Sequence, residues 1–237
     1  MKKSWYKKKE MLEKHNRSSA LFKDFILGGQ DGLVNVLGII LGLSVGTGNP
    51  KIVILAGLAA TFTEAVSMGA VSYTSTKAES DFYKSQEKQE EFEIGTCPDI
   101  ERKEIYDIYY KKGFRGKLLN DVVKNITSNK KKWKDTMMKE ELGLNRGSNN
   151  PFKNAIVVFL AAIIGSFIPL LPFFFFQISN AIIFSLIISA VALFITGAVE
   201  AKLTIGNWIK KGIQLTVIGM VAALIGFIVG KLTGYNG

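Results

Sequence analysis

Residues 52–75 read IVILAGLAATFTEAVSMGAVSYTS, a run apolar and long enough to cross a bilayer as a helix and interrupted by a single carboxylate, Glu64. A hydrocarbon core is spanned by ~20 consecutive, mostly apolar helical residues. Glu64 and Met68 are four positions apart, and on an α-helix such residues lie above one another on one face. A carboxylate at the bilayer centre costs roughly 2.5 to 3.5 kcal/mol on insertion scales, which marks Glu64 as a functional position.

The same kind of run recurs at 25–47, 155–176, 181–201 and 212–232, whereas 76–153 is too hydrophilic to span anything. The chain therefore divides into a basic N-terminal segment over 1–23, helices 1 and 2 over 24–76, a polar domain over 77–152, and helices 3 to 5 over 153–237. The predicted fold class is an all-α membrane protein with five transmembrane helices and a helical domain inserted between helices 2 and 3. The segment before the first span is basic, but it leads into a run longer than a signal-peptide core with no small-residue cleavage pattern, so it is expected to be retained.

Composition narrows the function. A mean hydropathy of +0.20 combined with a net charge of +10 fits poorly with a water-soluble domain. One cysteine, Cys97, allows no intrachain disulfide, and one histidine, His15, excludes His-rich metal sites and His-dependent hydrolytic triads. Eight basic residues precede the first span, seventeen lie over 77–153, and Lys202, Lys210 and Lys211 flank the fourth connection, against only Lys51 and Lys231 on the other side. Basic residues collect on the cytosolic side of membrane proteins, so the N-terminus and residues 77–152 are expected in the cytosol and the C-terminus outside. That topology explains the basic balance, and no aromatic-basic motif points to nucleic acid.

The first span carries a polar, flexible patch, Gly28-Gly29-Gln30-Asp31-Gly32. At ~1.5 Å per residue, Asp31 and Met68 each fall roughly 10 Å from the cytosolic ends of their helices, with Glu64 about one turn deeper. Gly38, Gly42 and Gly46 repeat at the spacing that lets transmembrane backbones approach closely, which suits either internal packing or a dimer seam. The second helix meets no breaker between Gly69 and Gly95 and is expected to run out of the membrane into the polar domain. Pro98 suits the first turn of a helix ending near Gly113, with Thr96 as one possible cap. Two shorter helices are expected at 115–128 and 130–143, and Asn149-Asn150-Pro151 turns the chain back to the membrane. Pro169 and Pro172 fall near the outer end of the third span, where neighbouring helices can satisfy the freed carbonyls. Glu200 and Lys202 read as an interfacial pair at the end of the fourth, and Gln214 is the notable polar residue of the fifth.

Fourteen of the twenty acidic residues lie between Glu79 and Glu141. Solvated helices normally place Lys or Arg three or four positions from each Glu. Glu90, Glu93, Glu101 and Glu104 have no basic residue at any of those offsets. Two Glu pairs at three-residue spacing, separated by a turn at Gly95 to Pro98, can face each other on antiparallel helices, a clustering of like charge that calls for a cation. Carboxylate oxygens suit hard or borderline divalent cations, and a thioether discriminates against magnesium and calcium. Met137 and Glu141 repeat the thioether-plus-carboxylate pair of Met68 and Glu64, so Fe(II), Mn(II), Co(II) and Zn(II) are all allowed, although Met137 also reads as an ordinary core methionine.

These features resemble the vacuolar iron transporter family of ferrous-iron/proton antiporters. The resemblance is carried by DFILGGQDG (Asp24 to Gly32), AVSMG (Ala65 to Gly69), Lys77 to Glu79 with the Glu-rich helix that follows, and WKDTMMKEELGL (Trp133 to Leu144), and it covers nearly the whole chain from Asp24. It implies a homodimer of five-helix subunits with the translocation path between them and a cytosolic helical domain that binds metal. By motif, Asp31 and Met68 would form the transmembrane iron site, and Glu90, Glu93, Glu101, Glu104, Met137 and Glu141 the cytosolic metal ligands. In plant-type members a second-helix carboxylate lies two turns before the Met; here that position is Ala60 and the carboxylate is Glu64, one turn before Met68.

The function these readings predict is secondary transport, exporting Fe(II) from the cytosol in exchange for protons, with Asp31, Glu64 and Met68 on the path. No enzymatic activity and no prosthetic group are expected; the divalent metal is substrate. No nucleotide-binding loop of the G-x-x-x-x-G-K-[ST] form is present, so an ion gradient supplies the energy. The alternatives are a transporter of Mn(II) or another divalent metal, and a membrane-anchored metal buffer or sensor that moves nothing. An intramembrane aspartyl protease needs two aspartates at depth, and only Asp31 qualifies. The host membrane is expected to be vacuolar in type in a eukaryote and the cell membrane in a prokaryote.

Overall fold

The computed structural model describes the backbone of residues 2–145, 150–203 and 206–234, and the side chains of 22–145, 150–202 and 206–234. His15, the basic side chains before Lys23 and the turn residue Asn149 lie outside the described residues. The order is α1 (Lys2–Thr47), α2 (Pro50–Thr96), α3 (Pro98–Lys111), α4 (Gly116–Thr127), α5 (Lys130–Glu140), α6 (Pro151–Leu170), a 3-10 turn (Leu171–Phe174), α7 (Ile178–Leu203) and α8 (Trp208–Thr233), with no strand among the described residues. Five helices are long and apolar enough to cross a membrane, through Phe22–Thr47, Pro50–Thr96, Pro151–Phe174, Ile178–Lys202 and Trp208–Thr233. The chain is an all-α membrane protein. It divides into two compact units, one of Ser75–Ser148 and one of the remainder.

The helix boundaries follow local chemistry. Gly48, at φ +60°, makes the turn between α1 and α2, and Asn49 Oδ1 accepts a hydrogen bond from the Lys51 amide at 3.0 Å, just ahead of α2's first turn. Asn129, Asn150 and Asn207 each accept from first-turn amides of α5, α6 and α8, supplying acceptors for donors that have no partner inside the helix. The cap of α3 is Cys97, with Pro98 opening the helix and no side-chain cap, not Thr96. The Thr96 hydroxyl instead donates to the Phe92 carbonyl at 2.6 Å, because α2 runs past Gly95 to include it.

In the membrane unit α1 is the hub, packed against α6, α7 and α8. Gly38, Gly42 and Gly46 all turn to α8: a Cβ at Gly42 would stand 2.8 Å from the Gly226 carbonyl, and one at Gly226 or Gly230 would overlap the carbonyls of Gly38 and Gly42. The glycine repeat is therefore an internal α1–α8 seam, where two backbones meet with no side chain between them. A second close approach seats Gly28, Gly29 and Gly32 of α1 against Val158, Ala161, Ala162 and Gly165 of α6. The α1–α2 hairpin is held by Val36 and Ile40 packed with Val53, Leu170, Phe173 and Ala181. Pro169 and Pro172 end α6 in the 3-10 turn, and the Pro169 carbonyl accepts from Ser185 Oγ of α7 at 2.7 Å. Glu200 is engaged by Lys211 of α8 at 2.6 Å.

In the polar unit, Ile94, Ile105, Leu119, Val123, Ile126, Trp133 and Met137 form one hydrophobic cluster. Lys134 of α5 reaches Glu87 at 3.1 Å and Glu91 at 3.5 Å on α2, and Arg102 of α3 lies over the Trp133 ring, so α5 is tied to both neighbours.

Candidate functional site

The polar unit gathers its carboxylates where α2 turns into α3. Glu90 and Glu93 sit one turn apart near the end of α2, Glu101 and Glu104 one turn apart at the start of α3, and the tight turn at Cys97 folds the pairs together. Carboxylate oxygens of Glu90, Glu93 and Glu101 lie within 4.8 Å of one another. Glu90 is 4% exposed and Glu101 5%, and in each the Oε2 atom is buried with no hydrogen-bond partner. Buried polar atoms are normally satisfied, so two orphaned carboxylate oxygens beside each other ask for a ligand between them.

The electrostatics agree. Burial, and then the charges of Glu141, Glu101, Glu93 and Glu104, push the Glu90 carboxyl up to about 7. Burial, then Glu104, Glu93 and Glu141, push Glu101 up to about 7 as well. Glu141, at the end of α5, is raised by burial and by Glu104 and Glu93. Among the described residues no salt bridge reaches any of these five glutamates; Gln89 Nε2 donates to Glu93 Oε1 at 3.1 Å, a neutral contact. The five form one electrically coupled group, and a divalent cation is what neutralises such a group without protonating it. Met137 is fully buried in the hydrophobic cluster with Ile94 and Ile105, residues one turn from Glu90 and Glu101. Its position suits a core methionine at the floor of the carboxylate group.

Inside the membrane unit one polar contact links α1 to α2. Asn35 Nδ2 of α1 donates to Glu64 Oε1 of α2 at 3.0 Å. The Asp31 carboxylate, one turn before Asn35, is the other close neighbour of Glu64. Met68 is half-buried one turn beyond Glu64 on α2. Two carboxylates held together in an apolar span coexist when a proton or a cation lies between them. Asn35 has no counterpart among the residues expected from sequence; the signal was a polar side chain four positions after Asp31, on the same helical face.

Apolar spans with a carboxylate pair inside them, and a helical unit with a carboxylate cluster, define an integral membrane protein with acidic groups suited to a cation. The VIT family model matches residues 22–231. Vacuolar iron transporter 1 of Tulipa gesneriana is 32% identical over 224 residues, covering 94% of this chain and 91% of that protein. Vacuolar iron transporter 2 of Oryza sativa subsp. japonica is 33% identical with the same coverage, and the vacuolar iron transporter of Plasmodium falciparum is 31% identical over 235 residues, covering 94% and 86%. The chain belongs to the VIT family.

Proposed function

We propose that the chain is a secondary transporter that moves Fe(II) out of the cytosol in exchange for protons and works as a homodimer. The observation that carries this reading is the Asp31–Glu64 pair inside the spans, with the second carboxylate cluster in the polar unit. Relatives named as iron transporters, and the thioethers of Met68 and Met137, favour a borderline metal over magnesium or calcium.

In this account Glu90, Glu93, Glu101, Glu104 and Glu141 collect the metal on the cytosolic side, with Met137 as the soft contact below them. Near neutral pH the cluster holds protons that an incoming divalent cation displaces, so loading and proton release are one event. The cation then passes to Asp31, Glu64 and Met68. One divalent cation or two protons leave the Asp31–Glu64 pair with the same net charge, which makes metal and protons alternative occupants and is the physical basis of exchange. A second copy completes the path: Asn35 of α1 is exposed, Asp31 of α1 and Glu64 and Met68 of α2 are only half-buried in one chain, and α2 also exposes Leu55, Phe62, Val66 and Val71. The host membrane is of vacuolar type in a eukaryote and the cell membrane in a prokaryote, with the N-terminus and residues 77–152 in the cytosol.

The test is flux in liposomes holding the purified protein under a proton gradient, following Fe(II) entry and lumenal pH together with Mn(II), Co(II) and Zn(II) as competitors. Iron uptake coupled to proton release is expected in the wild type and lost in Asp31→Ala. Metal binding without flux would leave a buffer or sensor instead.

A further inference from the structure

We propose that Asn35 is a positioning residue of the membrane site, holding Glu64 so that its second oxygen is presented to Asp31 and to the cation between them. This rests on the transport reading above and names a residue that reading does not require. Asn35 sits in the middle of α1's span and is exposed, so it is not there to fill the core; its neighbours Val36 and Leu37 do that, both fully buried. A carboxamide in the middle of a membrane span is costly unless it is paired. Its pairing is the 3.0 Å hydrogen bond to Glu64 Oε1.

That bond has a consequence for geometry. Glu64 has three side-chain torsions and projects between two residues of α1, Asp31 and Asn35, one turn apart. Without a donor at Asn35, repulsion from Asp31 favours rotamers that turn Glu64 away, and the metal would have to gather the pair itself. With Oε1 held by the amide, Oε2 is left as the free ligand atom beside Asp31, and the site is assembled before the cation arrives. The residue type fits this task. Lys or Arg would cancel the negative charge that attracts the cation, Asp would add a third negative charge with nothing to donate, and Ala would leave Glu64 loose. Asn donates at zero net charge. Loss of a hydrogen bond to a charged acceptor weakens affinity roughly tenfold or more.

The experiment is a double-mutant cycle on the full chain. Fe(II) flux in liposomes is measured for wild type, Asn35→Ala, Asn35→Asp, Glu64→Ala and the Asn35→Ala/Glu64→Ala pair. Mn(II) binding is followed in parallel by paramagnetic resonance in a Glu90→Gln/Glu93→Gln/Glu101→Gln/Glu104→Gln/Glu141→Gln background, which leaves the membrane site as the binder. Asn35→Ala is expected to raise KM for Fe(II) and weaken Mn(II) binding on the order of tenfold. Asn35→Asp, which keeps the shape and loses the donor, should be at least as impaired. In the Glu64→Ala background Asn35→Ala should cost less than about twofold, because the two residues act through one bond. An Asn35→Asp protein with wild-type KM and binding would overturn the assignment, and so would equal costs in both backgrounds. If the wild type carries no Fe(II) but the Mn(II) cycle still shows the coupling, the transport reading fails and the Asn35 assignment stands. If the wild type transports while Asn35→Asp matches it, only the Asn35 assignment fails.

Discussion

Dropping the pH from 7 to 6 should weaken divalent-metal binding by the polar unit about thirtyfold, a magnitude that follows from the two buried glutamates. Glu90 and Glu101 are each pushed up to about 7. A group at that value is half protonated at pH 7 and about ten-elevenths protonated at pH 6, so proton competition grows ~5.5-fold per group and ~30-fold for the pair. From pH 8 to 7 the same arithmetic gives only ~3-fold, and glutamates at their ordinary value would give no change across either interval. Metal loading at pH 7 should therefore expel about one proton from the pair, rising towards two at pH 6. Titration calorimetry of the full chain in detergent, with Asp31→Ala to remove the membrane site and with buffers of different ionisation enthalpy, reads affinity and proton release together. Affinity flat from pH 6 to 8 with no proton release would refute the assignment of the orphaned oxygens to a metal.

Replacing Glu101 by Gln should raise the melting temperature of the metal-free protein at pH 8 and leave it unchanged at pH 5. The native state binds more protons than the unfolded chain between about 4.5 and 7, so stability conferred by the cluster falls as pH rises through that window, and the amide removes that loss. The same variant should lose most of its metal-induced stabilisation, read by thermal unfolding with and without Mn(II). Gly226→Val should destabilise the membrane unit by about 1 to 3 kcal/mol, measured by unfolding in mixed micelles, because its side chain would be driven into the Gly38 backbone; a change in dimerisation at unchanged stability would contradict the internal seam. Met137→Leu should preserve stability, as a volume-conserving core swap does, while lowering the preference for Fe(II) over Mg(II) in competition binding.

What was legible in the sequence was what is local. Apolar runs of bilayer length located all five spans, and the missing basic neighbours of Glu90, Glu93 and Glu101 located a group that the folded chain brings within 4.8 Å. The same offset rule does not see across helices: Glu87 and Glu91 find their cation in Lys134 of α5, and Glu200 is engaged by Lys211 of α8. Depth counting set Asp31 level with Met68 but could not reveal that Asn35 faces Glu64, since a neutral amide carries no charge anomaly to flag it. The Gly38, Gly42 and Gly46 repeat announced a close backbone approach, and only the fold could say that the approaching helix is α8 of the same chain. Met137 is a case where spacing alone was ambiguous: the interval to Glu141 matches that of Glu64 to Met68, yet the side chain lies within the hydrophobic cluster.

The central claim is that a carboxylate pair inside the spans exchanges a divalent metal for protons. Fe(II) entry and lumenal alkalinisation recorded together in proteoliposomes loaded at low pH test it most directly. The account predicts that the two signals rise together in the wild type, with about two protons leaving per metal entering if charge on the pair is conserved, and that both vanish in Asp31→Ala and fall steeply in Glu64→Ala. Iron entry with no proton efflux, or undiminished iron entry in Asp31→Ala, would contradict it.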